Sequence, residues 1–522
     1  MTRAWLVVPL LLYAAASLAF LAHSEHARHD FPLDDAWIHQ VYARAFAHGH
    51  GFAYNDGGPQ EAGATSPLWA IANAPVQGLA AVFGPGAVPW GAKLLGLALG
   101  GIAIVALFVI SAAALQSGWA AAAAASLLAV EPRLIFSALS GMETVLLLAL
   151  WLGAVAAVLR RRAWWALALF GLSPLARPEA FALLALALPA WALLDRPRHR
   201  APGRAAPAAA LALLAGPTLA WSIFCHAVNG GWLPNTYYLK AHAFSLSASS
   251  VVTLWRLVIQ HGWLGTAAGA AGMLALVGWI SAGRQRERVW LAATLGLAPG
   301  AYLLGVVGSR ALRLDGYYWT RWVDPPLLVW VAASALGLAA LAAWGLAQLR
   351  AAATPQARWR PLAALITPLL LLLISTPRLA NSFGERRERL ASDGRAIRKI
   401  NVEPGQWIAA HVPPEAVVGV NDAGALRYFG QRRTLDLGGL NYSPLATQHA
   451  TLSAAAEQLD WLAVFPAHYA ATGLLEAFDP VKWFSIPLAE YTICECPTQT
   501  VVGVARRRDV ARSPDRRTTV SP

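Results

Sequence analysis

Asp34-Asp35-Ala36-Trp37-Ile38 opens a polar stretch near the start of the chain, and Thr65-Ser66-Pro67-Leu68-Trp69 closes it. The stretch follows an apolar segment, residues 5–22, that is long enough for a membrane helix. We therefore expect the two adjacent carboxylates just outside a membrane, beside the lipid headgroups. Carboxylates near a bilayer are costly unless they are solvated or used. The pair is the first candidate for chemistry.

The composition is typical of a polytopic membrane protein. Of 522 residues, 57% are hydrophobic and only 13% are charged, about half the usual charge content of soluble proteins. The 23 tryptophans suit membrane interfaces. The net charge is +13, but much of it lies in short basic runs between apolar segments. That pattern indicates topology and membrane lipids as surroundings, with no nucleic-acid partner.

Apolar runs recur along most of the chain and predict about eleven membrane helices. The fold class that we predict is mainly α: a polytopic membrane helix bundle, residues 1–376, followed by a C-terminal extracytoplasmic α/β domain. The predicted spans are 5–22, 90–113, 118–131, 143–159, 163–176, 180–194, 205–228, 262–282, 289–307, 323–346 and 361–376.

The segment 66–84 decides the topology because it is apolar but interrupted by prolines and glycines. If it crossed the membrane, Arg3 would lie on the opposite side from the later basic runs. If it lies along the surface as interfacial helices, all the basic runs share one side, which is then the cytoplasm. We predict the second arrangement. The first outer loop then spans residues 23–89, and everything after about residue 377 is outside.

The composition changes at Arg378, where charged residues and short β-branched runs replace the apolar spans. This change predicts an α/β domain over residues 377–506 and a basic, disordered tail over residues 507–522. The predicted strands are Ala416–Val420, Thr434–Leu437, Trp461–Phe465, Tyr491–Cys494 and Thr500–Val504.

Several acidic residues fall at the outer ends of predicted helices. Apolar residues after Asp34 and Asp35 keep helical spacing, so either aspartate could cap an interfacial helix or carry chemistry. Glu143 has the same two interpretations at the start of its span. Arg177 and Glu179 flank a proline between two spans, where they form either a structural ion pair or part of a site.

Two outer loops carry cations and aromatic residues. Asn235, Tyr237 and Lys240 could hold a sugar and a phosphate, or could anchor the chain at the interface. In the next outer loop, Arg310, Arg313 and Arg321 oppose the usual charge asymmetry. We therefore favour an anion-binding role for them, with headgroup anchoring as the alternative.

Common cofactor and nucleotide motifs are missing from the sequence. It contains no P-loop lysine motif, Rossmann fingerprint, HExxH pair or GxSxG elbow. ATP-driven transport is excluded on that ground. No metal site is predicted and no cofactor is called for, although the sequence leaves a divalent metal open.

The motifs together resemble the GT-C glycosyltransferases, which are polytopic enzymes with polyprenyl-phosphate sugar donors. Among these the chain is most similar to actinobacterial terminal arabinofuranosyltransferases and related uncharacterised membrane proteins. The matching motifs are Asp34-Asp35-Ala36, Tyr42-Ala43-Arg44, Gly49–Asn55, Thr65–Trp69, Ser140–Glu143, Ala176–Glu179, Leu233–Tyr237 and Asn421–Leu426.

The resemblance implies a transferase for a sugar such as arabinofuranose, with its site on the outer side of the bacterial inner membrane. The donor would be a polyprenyl-phosphate-linked sugar and the acceptor an extracytoplasmic glycan or another cell-envelope molecule. Asp34 aligns best with the family's catalytic base, with Asp35 as the second candidate. The leaving phosphate needs positive charge. The cations that could supply it are Lys240, Arg177, Arg310, Arg313 and Arg321.

Further substrate-binding positions carried over from the matching motifs are Arg44, Glu61, Thr65, Glu143, Glu179, Asn235, Tyr237, Asn421 and Asp422. The chain departs from the relatives' Glu-Gly-Tyr-Thr pattern at Glu61–Thr65 and from their Arg-Tyr pattern at Thr320–Trp322, so the donor sugar stays open. Two other functions stay open as well: a flippase or transporter for lipid-linked sugars, and a non-enzymatic protein of cell-envelope assembly.

Overall fold

The computed structural model describes residues 2–195, 206–240, 247–260, 262–282, 286–309, 316–494 and 496–508. The chain up to residue 397 is almost entirely helical. Its helices are α1 (Val7–Leu21), α2 (Glu25–His29), α3 (Asp35–Ala47), α4 (Pro67–Phe83), α5 (Val88–Leu115), α6 (Gly118–Ala129), α7 (Pro132–Leu139), α8 (Thr144–Leu159), α9 (Ala163–Ala176), α10 (Ala180–Asp195), α11 (Ala206–Asn229), α12 (Asn235–Lys240), α13 (Ala248–Gln260), α14 (Ala267–Ser281), α15 (Arg286–Leu291), α16 (Ala298–Ser309), α17 (Gly316–Thr320), α18 (Asp324–Ala351) and α19 (Trp359–Ile397).

Each predicted span coincides with a helix, and the predicted fold class is confirmed. Among the described residues, six helices are long and apolar enough to cross a membrane, or seven if the bent pair α6–α7 is one span. This pair bends by 59° at Pro132, which suits the first turn of a new helix but not the interior of an old one. Other apolar helices, including α8, α9 and α14, are shorter. The protein is a multi-pass membrane protein.

The first outer loop folds into helices. Helix α3 begins at the aspartate pair, as the helical spacing of the following apolar residues predicts, and it packs against α4. Helix α4 covers the segment whose topology was in question, and it also packs against α5 and α9. Whether α4 crosses the membrane stays a prediction.

The C-terminal region contains a five-stranded mixed sheet. Its strands are β1 (Val417–Val420), β2 (Arg433–Asp436), β3 (Trp461–Val464), β4 (Phe478–Ser485) and β5 (Val501–Arg507), in the spatial order β2-β1-β3-β5-β4. Strands β1, β2 and β3 are parallel, whereas β5 is antiparallel to β3 and β4. The connecting helices are α20 (Glu403–His411), α21 (Ala425–Gly430), α22 (Ser443–Ala446), α23 (Leu452–Ala456) and α24 (Pro466–Tyr469).

Four of the five predicted strands are present, and one is wrong. Tyr491–Cys494 is irregular because its side chains are tied down locally: the Tyr491 hydroxyl donates to Gln499, and Thr492 donates to Asp393 of α19. Strand β4 was not predicted from the sequence, because it contains Pro480. A proline is tolerated there because β4 lies at the sheet edge and its register shifts at this point.

The bundle and the sheet share one hydrophobic core. A single buried cluster includes Tyr13 of α1, Leu148 of α8, Leu390 of α19 and Val502 of β5. Helix α19 runs without interruption from the last predicted span into this core. The sheet domain is therefore docked firmly on the bundle and on the first outer loop.

Candidate active site

A cleft lies where the first outer loop, the helix ends and the sheet domain meet. It encloses about 620 Å³, counting its open mouth. Its walls come from the start of α3, the turns before α8 and α10, the end of α12, the segment after α17, and the loop after β2. Seven of the predicted site residues line it: Asp35, Thr65, Glu143, Arg177, Glu179, Lys240 and Arg321.

Asp35 and Arg321 form the ion pair at one side of the cleft. Arg321 Nη2 donates to Asp35 Oδ2 at 2.6 Å, and the guanidinium also stacks on the rings of Tyr318 and Trp322. The Arg321 side chain is 3% exposed, whereas that of Asp35 is 26% exposed. Burial alone would raise the pKa of Asp35, but Arg321, Lys240 and His39 outweigh it and hold that pKa below its usual value. Asp35 is thus an accessible, ionised carboxylate.

A network of polar and charged side chains lies behind Asp35. His39 Nε2 lies 3.0 Å from Glu143 Oε2, and Arg177 Nη1 donates to Glu143 Oε1 at 2.7 Å. Arg177 Nε also lies 3.5 Å from Glu179 Oε2. Glu143 occupies the N-cap position of α8, but its side chain makes these contacts and no capping bond. These contacts hold in place the wall of the cleft that Asp35 faces.

Gly141 allows this wall to approach α3. It has a φ of +76°, and a Cβ there would lie 2.5 Å from Phe31 and 3.1 Å from the Cβ of Ala36. Any larger residue would push the turn before α8 away from the start of α3. The glycine therefore sets the distance between Glu143 and His39.

Lys240 differs from the two arginines of the cleft. Arg177 and Arg321 are both paired with carboxylates, but Lys240 has no ion pair or hydrogen bond within the part of the chain that the structure describes. It ends α12 and lines the cleft close enough to Asp35 to lower the pKa of that carboxyl. Its ammonium group is available to an anion.

The cleft is also lined by uncharged residues. The hydroxyls of Thr65 and Thr236 lie 3.2 Å apart, and Gly63, Leu440 and Asn441 also line the cleft. Asn441 is held by the Tyr42 hydroxyl and by Asp436. The cleft therefore combines ionic groups with hydroxyl groups, and part of its wall belongs to the sheet domain.

Asp34 does not line the cleft. Its Oδ2 accepts from the Gly424 amide and its Oδ1 from the Ala425 amide, each at 2.8 Å. Asp34 occupies the N-cap position of α3, as the sequence allowed, but its carboxylate makes no capping bond and binds the sheet domain instead. Burial, together with Asp422, raises the pKa of Asp34 well above its usual value, although the two amides oppose this.

Three more predicted residues join the outer loops to the sheet domain. Glu61 Oε2 accepts from the Ser443 amide at 2.9 Å and from the Ser443 hydroxyl at 2.5 Å. Arg44 donates to the Tyr428 carbonyl at 2.9 Å and stacks on that ring. Asn235 donates to the Leu440 carbonyl at 3.2 Å.

Three further predicted residues, Asp422, Asn421 and Tyr237, do not line the cleft. Asp422 accepts from Asn401 at 2.7 Å, and Asn421 bonds to the Phe465 amide at 2.9 Å, so both organise the turn after β1. Burial raises the pKa of Asp422 to about 6. Tyr237 is 52% exposed. Arg310 and Arg313 lie outside the described residues.

The sequence did not point to His39, Thr236 or Asn441 as cleft residues. His39 carries a detectable signal, because it follows Asp35 by four residues and so shares its face of α3. Asn441 carries none, since it comes from a distant part of the chain. Among the described residues, no group of three or more histidine, cysteine, aspartate or glutamate side chains could hold a metal ion.

Comparisons with known proteins identify the fold. The crystal structure of ArnT from Cupriavidus metallidurans bound to undecaprenyl phosphate matches with a TM-score of 0.59 at 17% identity, over 95% of this chain and 97% of that one. Its apo structure matches with a TM-score of 0.59 at 16% identity, over the same shares. This chain has the fold of ArnT.

The comparisons that use the sequence alone find less than the comparison of structures. Residues 393–502 match a family model described as "Domain of unknown function (DUF8728)", which covers most of the sheet domain. No curated protein matches the chain.

Proposed function

We propose that this protein is a membrane glycosyltransferase that moves a sugar from a polyprenyl-phosphate donor to an extracytoplasmic glycan or another cell-envelope acceptor. The observation that carries the proposal is the cleft, which combines the ionised Asp35 with Lys240, a cation that no described carboxylate pairs. The fold shared with ArnT supports it, because the ArnT crystal structure has undecaprenyl phosphate bound. The resemblance to arabinofuranosyltransferases favours arabinofuranose as the sugar.

The reaction needs one base and one group of cations. In our proposal Asp35 accepts the proton of an acceptor hydroxyl while the hydroxyl oxygen bonds to the anomeric carbon. The bond from that carbon to the phosphate oxygen breaks, and the phosphate leaves on the polyprenyl chain. A lipid phosphate is a good leaving group, so no second carboxylate is required as an acid, unlike in sugar hydrolysis.

Lys240 is our candidate for the leaving phosphate. Lys240 lies near Asp35 but forms no direct ion pair among the described residues, so its ammonium group can contact an incoming anion. Arg321 has a different part in the proposal: it keeps Asp35 ionised and oriented. Arg310 and Arg313, from the neighbouring outer loop, remain candidates for the same phosphate.

We place the reaction on the outer side of the bacterial inner membrane, with the sheet domain outside. The arrangement of basic runs supports this topology only if α4 does not cross the membrane. A cysteine introduced at Gly86, in a background without the native cysteines Cys225, Cys494 and Cys496, should react with an impermeant thiol reagent from outside intact spheroplasts. Labelling only after the membrane is opened would contradict the topology.

The function is tested with purified protein, a panel of polyprenyl-phosphate sugars and glycan acceptors. We expect radiolabelled sugar to pass from one donor to an acceptor, with release of the polyprenyl phosphate. Asp479→Asn, which alters an exposed carboxylate of β4, is the matched control for Asp35→Asn. Movement of the donor across proteoliposomes without transfer would contradict the proposal and favour a flippase.

A further inference from the structure

Asp34 lies next to the cleft carboxylate in sequence, but its side chain faces the sheet domain. Both carboxylate oxygens accept backbone hydrogen bonds, one from Gly424 and one from Ala425. The residue is 6% exposed. A general base must come within hydrogen-bond reach of the proton that it accepts, but both oxygens of Asp34 are directed to amides of the sheet domain, and Asp34 does not line the cleft.

Gly424 is fitted to this contact. A Cβ at residue 424 would lie 2.3 Å from the Asp34 carbonyl oxygen and 2.7 Å from its Oδ2. Both distances are shorter than real Cβ contacts, and the first partner is backbone that cannot swing aside. The turn before α21 can therefore approach the start of α3 only because residue 424 has no side chain.

Helix α21 continues the contact along α3. The Trp37 ring lies 5.0 Å from the Tyr428 ring and 4.7 Å from the Phe429 ring. Further along, Arg44 donates to the Tyr428 carbonyl. The first turn of α3, which carries Asp35, is thus held to the sheet domain at its start by Asp34 and then by its aromatic face.

We propose that Asp34 is a positioning residue: by binding the Gly424 and Ala425 amides it fixes the start of α3 on the sheet domain and so holds Asp35 in the cleft. This inference rests on the proposed function, and it gives the domain of unknown function a part in the site. We call the contact of the Asp34 carboxylate with the Gly424 and Ala425 amides the clamp. Misplacing a catalytic group by about 1 Å can cost about 100-fold in rate, so loss of the clamp should have a measurable effect.

Two variants alter the clamp from opposite sides. Asp34→Asn keeps one acceptor oxygen but turns an amide group toward the other backbone N–H. Gly424→Ala leaves the Asp34 carboxylate intact and separates it from the turn. We expect each variant to lower kcat for transfer about tenfold, with the donor KM within about twofold of wild type. The double variant should be no worse than the poorer single one, because both break one contact.

The pH dependence of kcat separates positioning from base chemistry. The groups that face Asp35 are Arg321, Lys240, His39 and Glu143, with Asp422 and Asp34 on the side of the sheet domain. If Asp35 is the base, Asp34→Asn retains the acid limb of the wild-type profile at a reduced rate. Loss of transfer to background in Asp34→Asn, with tenfold reduced transfer in Gly424→Ala, would identify Asp34 as the base and overturn the proposal. Unchanged kcat in Asp34→Asn would overturn it as well.

Hydrogen–deuterium exchange of the full-length protein tests the clamp without any activity. Asp34→Asn should speed exchange at the Gly424 and Ala425 amides and in the first turn of α3, and Asp35→Asn should not. If wild-type protein transfers no sugar from any donor, the proposed function fails while this exchange result still decides the clamp. Unchanged exchange in Asp34→Asn would reject the clamp even in an active enzyme.

Discussion

Asp34 and Asp35 are adjacent in sequence but lie in opposite environments. Asp34 is buried against the sheet domain and accepts two backbone amides. Asp35 faces a cleft and pairs with an arginine. Burial and Asp422 raise the pKa of Asp34, whereas Arg321, Lys240 and His39 outweigh burial and lower the pKa of Asp35. Successive residues of a helix point about 100° apart, so one aspartate can bind a domain while its neighbour meets a substrate.

The largest effect is expected from Asp35→Asn. If Asp35 accepts the acceptor proton, the amide should reduce kcat by about 100-fold or more, with the fold and membrane insertion intact. The measurement is sugar transfer at saturating donor, with Asp479→Asn as control. Transfer within a few-fold of wild type would mean that Asp35 is not the base, although it is the aspartate that faces the cleft.

Lys240→Ala should come next, because within the described chain its ammonium is the cleft cation without a carboxylate partner. We expect kcat/KM for the donor to fall about tenfold, mainly through the donor KM, as for loss of one charge-assisted phosphate contact. Lys482→Ala, which removes an exposed lysine of β4, is the matched control. Equal kinetics in the two variants would shift the phosphate site toward Arg310 and Arg313.

Arg321→Gln should change the pH dependence of kcat more than it changes the maximal value of kcat. Arg321 lowers the pKa of Asp35, so its removal raises that pKa and protonates the base at higher pH. The acid limb of the kcat profile should move to higher pH. A profile that stays in place would show that Asp35 does not control the rate.

The smallest effect concerns stability and involves Glu61, another carboxylate that binds the sheet domain. Burial raises its pKa to about 7, from an ordinary value near 4.5, so the folded state binds the proton more tightly than the unfolded one. The stabilisation is complete below about pH 4.5 and is lost as the pH rises through about 7. Between pH 5 and 7.5, wild type should lose on the order of 2 kcal/mol relative to Glu61→Gln.

Thermal unfolding of both proteins in detergent across this pH range measures the difference. Glu476→Gln changes an exposed carboxylate of the sheet domain and serves as the control. Parallel curves for wild type and Glu61→Gln would show that Glu61 does not titrate in this range.

The helices were predictable because each apolar run must cross or line a membrane, and hydropathy reports that directly. Strand β4 was not, since an edge position tolerates the proline that argues against a strand. The cleft was predictable in part: the motifs named Glu143, Arg177 and Lys240, but nothing local distinguishes Asp34 from Asp35. That distinction depends on Gly424, which lies in the sheet domain and meets α3 only in the folded protein.

Helix α19 has a practical consequence for anyone who wants to excise the sheet domain. The family model begins at residue 393, which lies inside this uninterrupted helix. A fragment cut there would lose Leu390 and Ala391 from the shared core, and it would expose the surface that now covers α3. The unit recognised by sequence comparison is therefore smaller than the unit that packs around the shared core, and recombinant work should keep the sheet attached to its bundle.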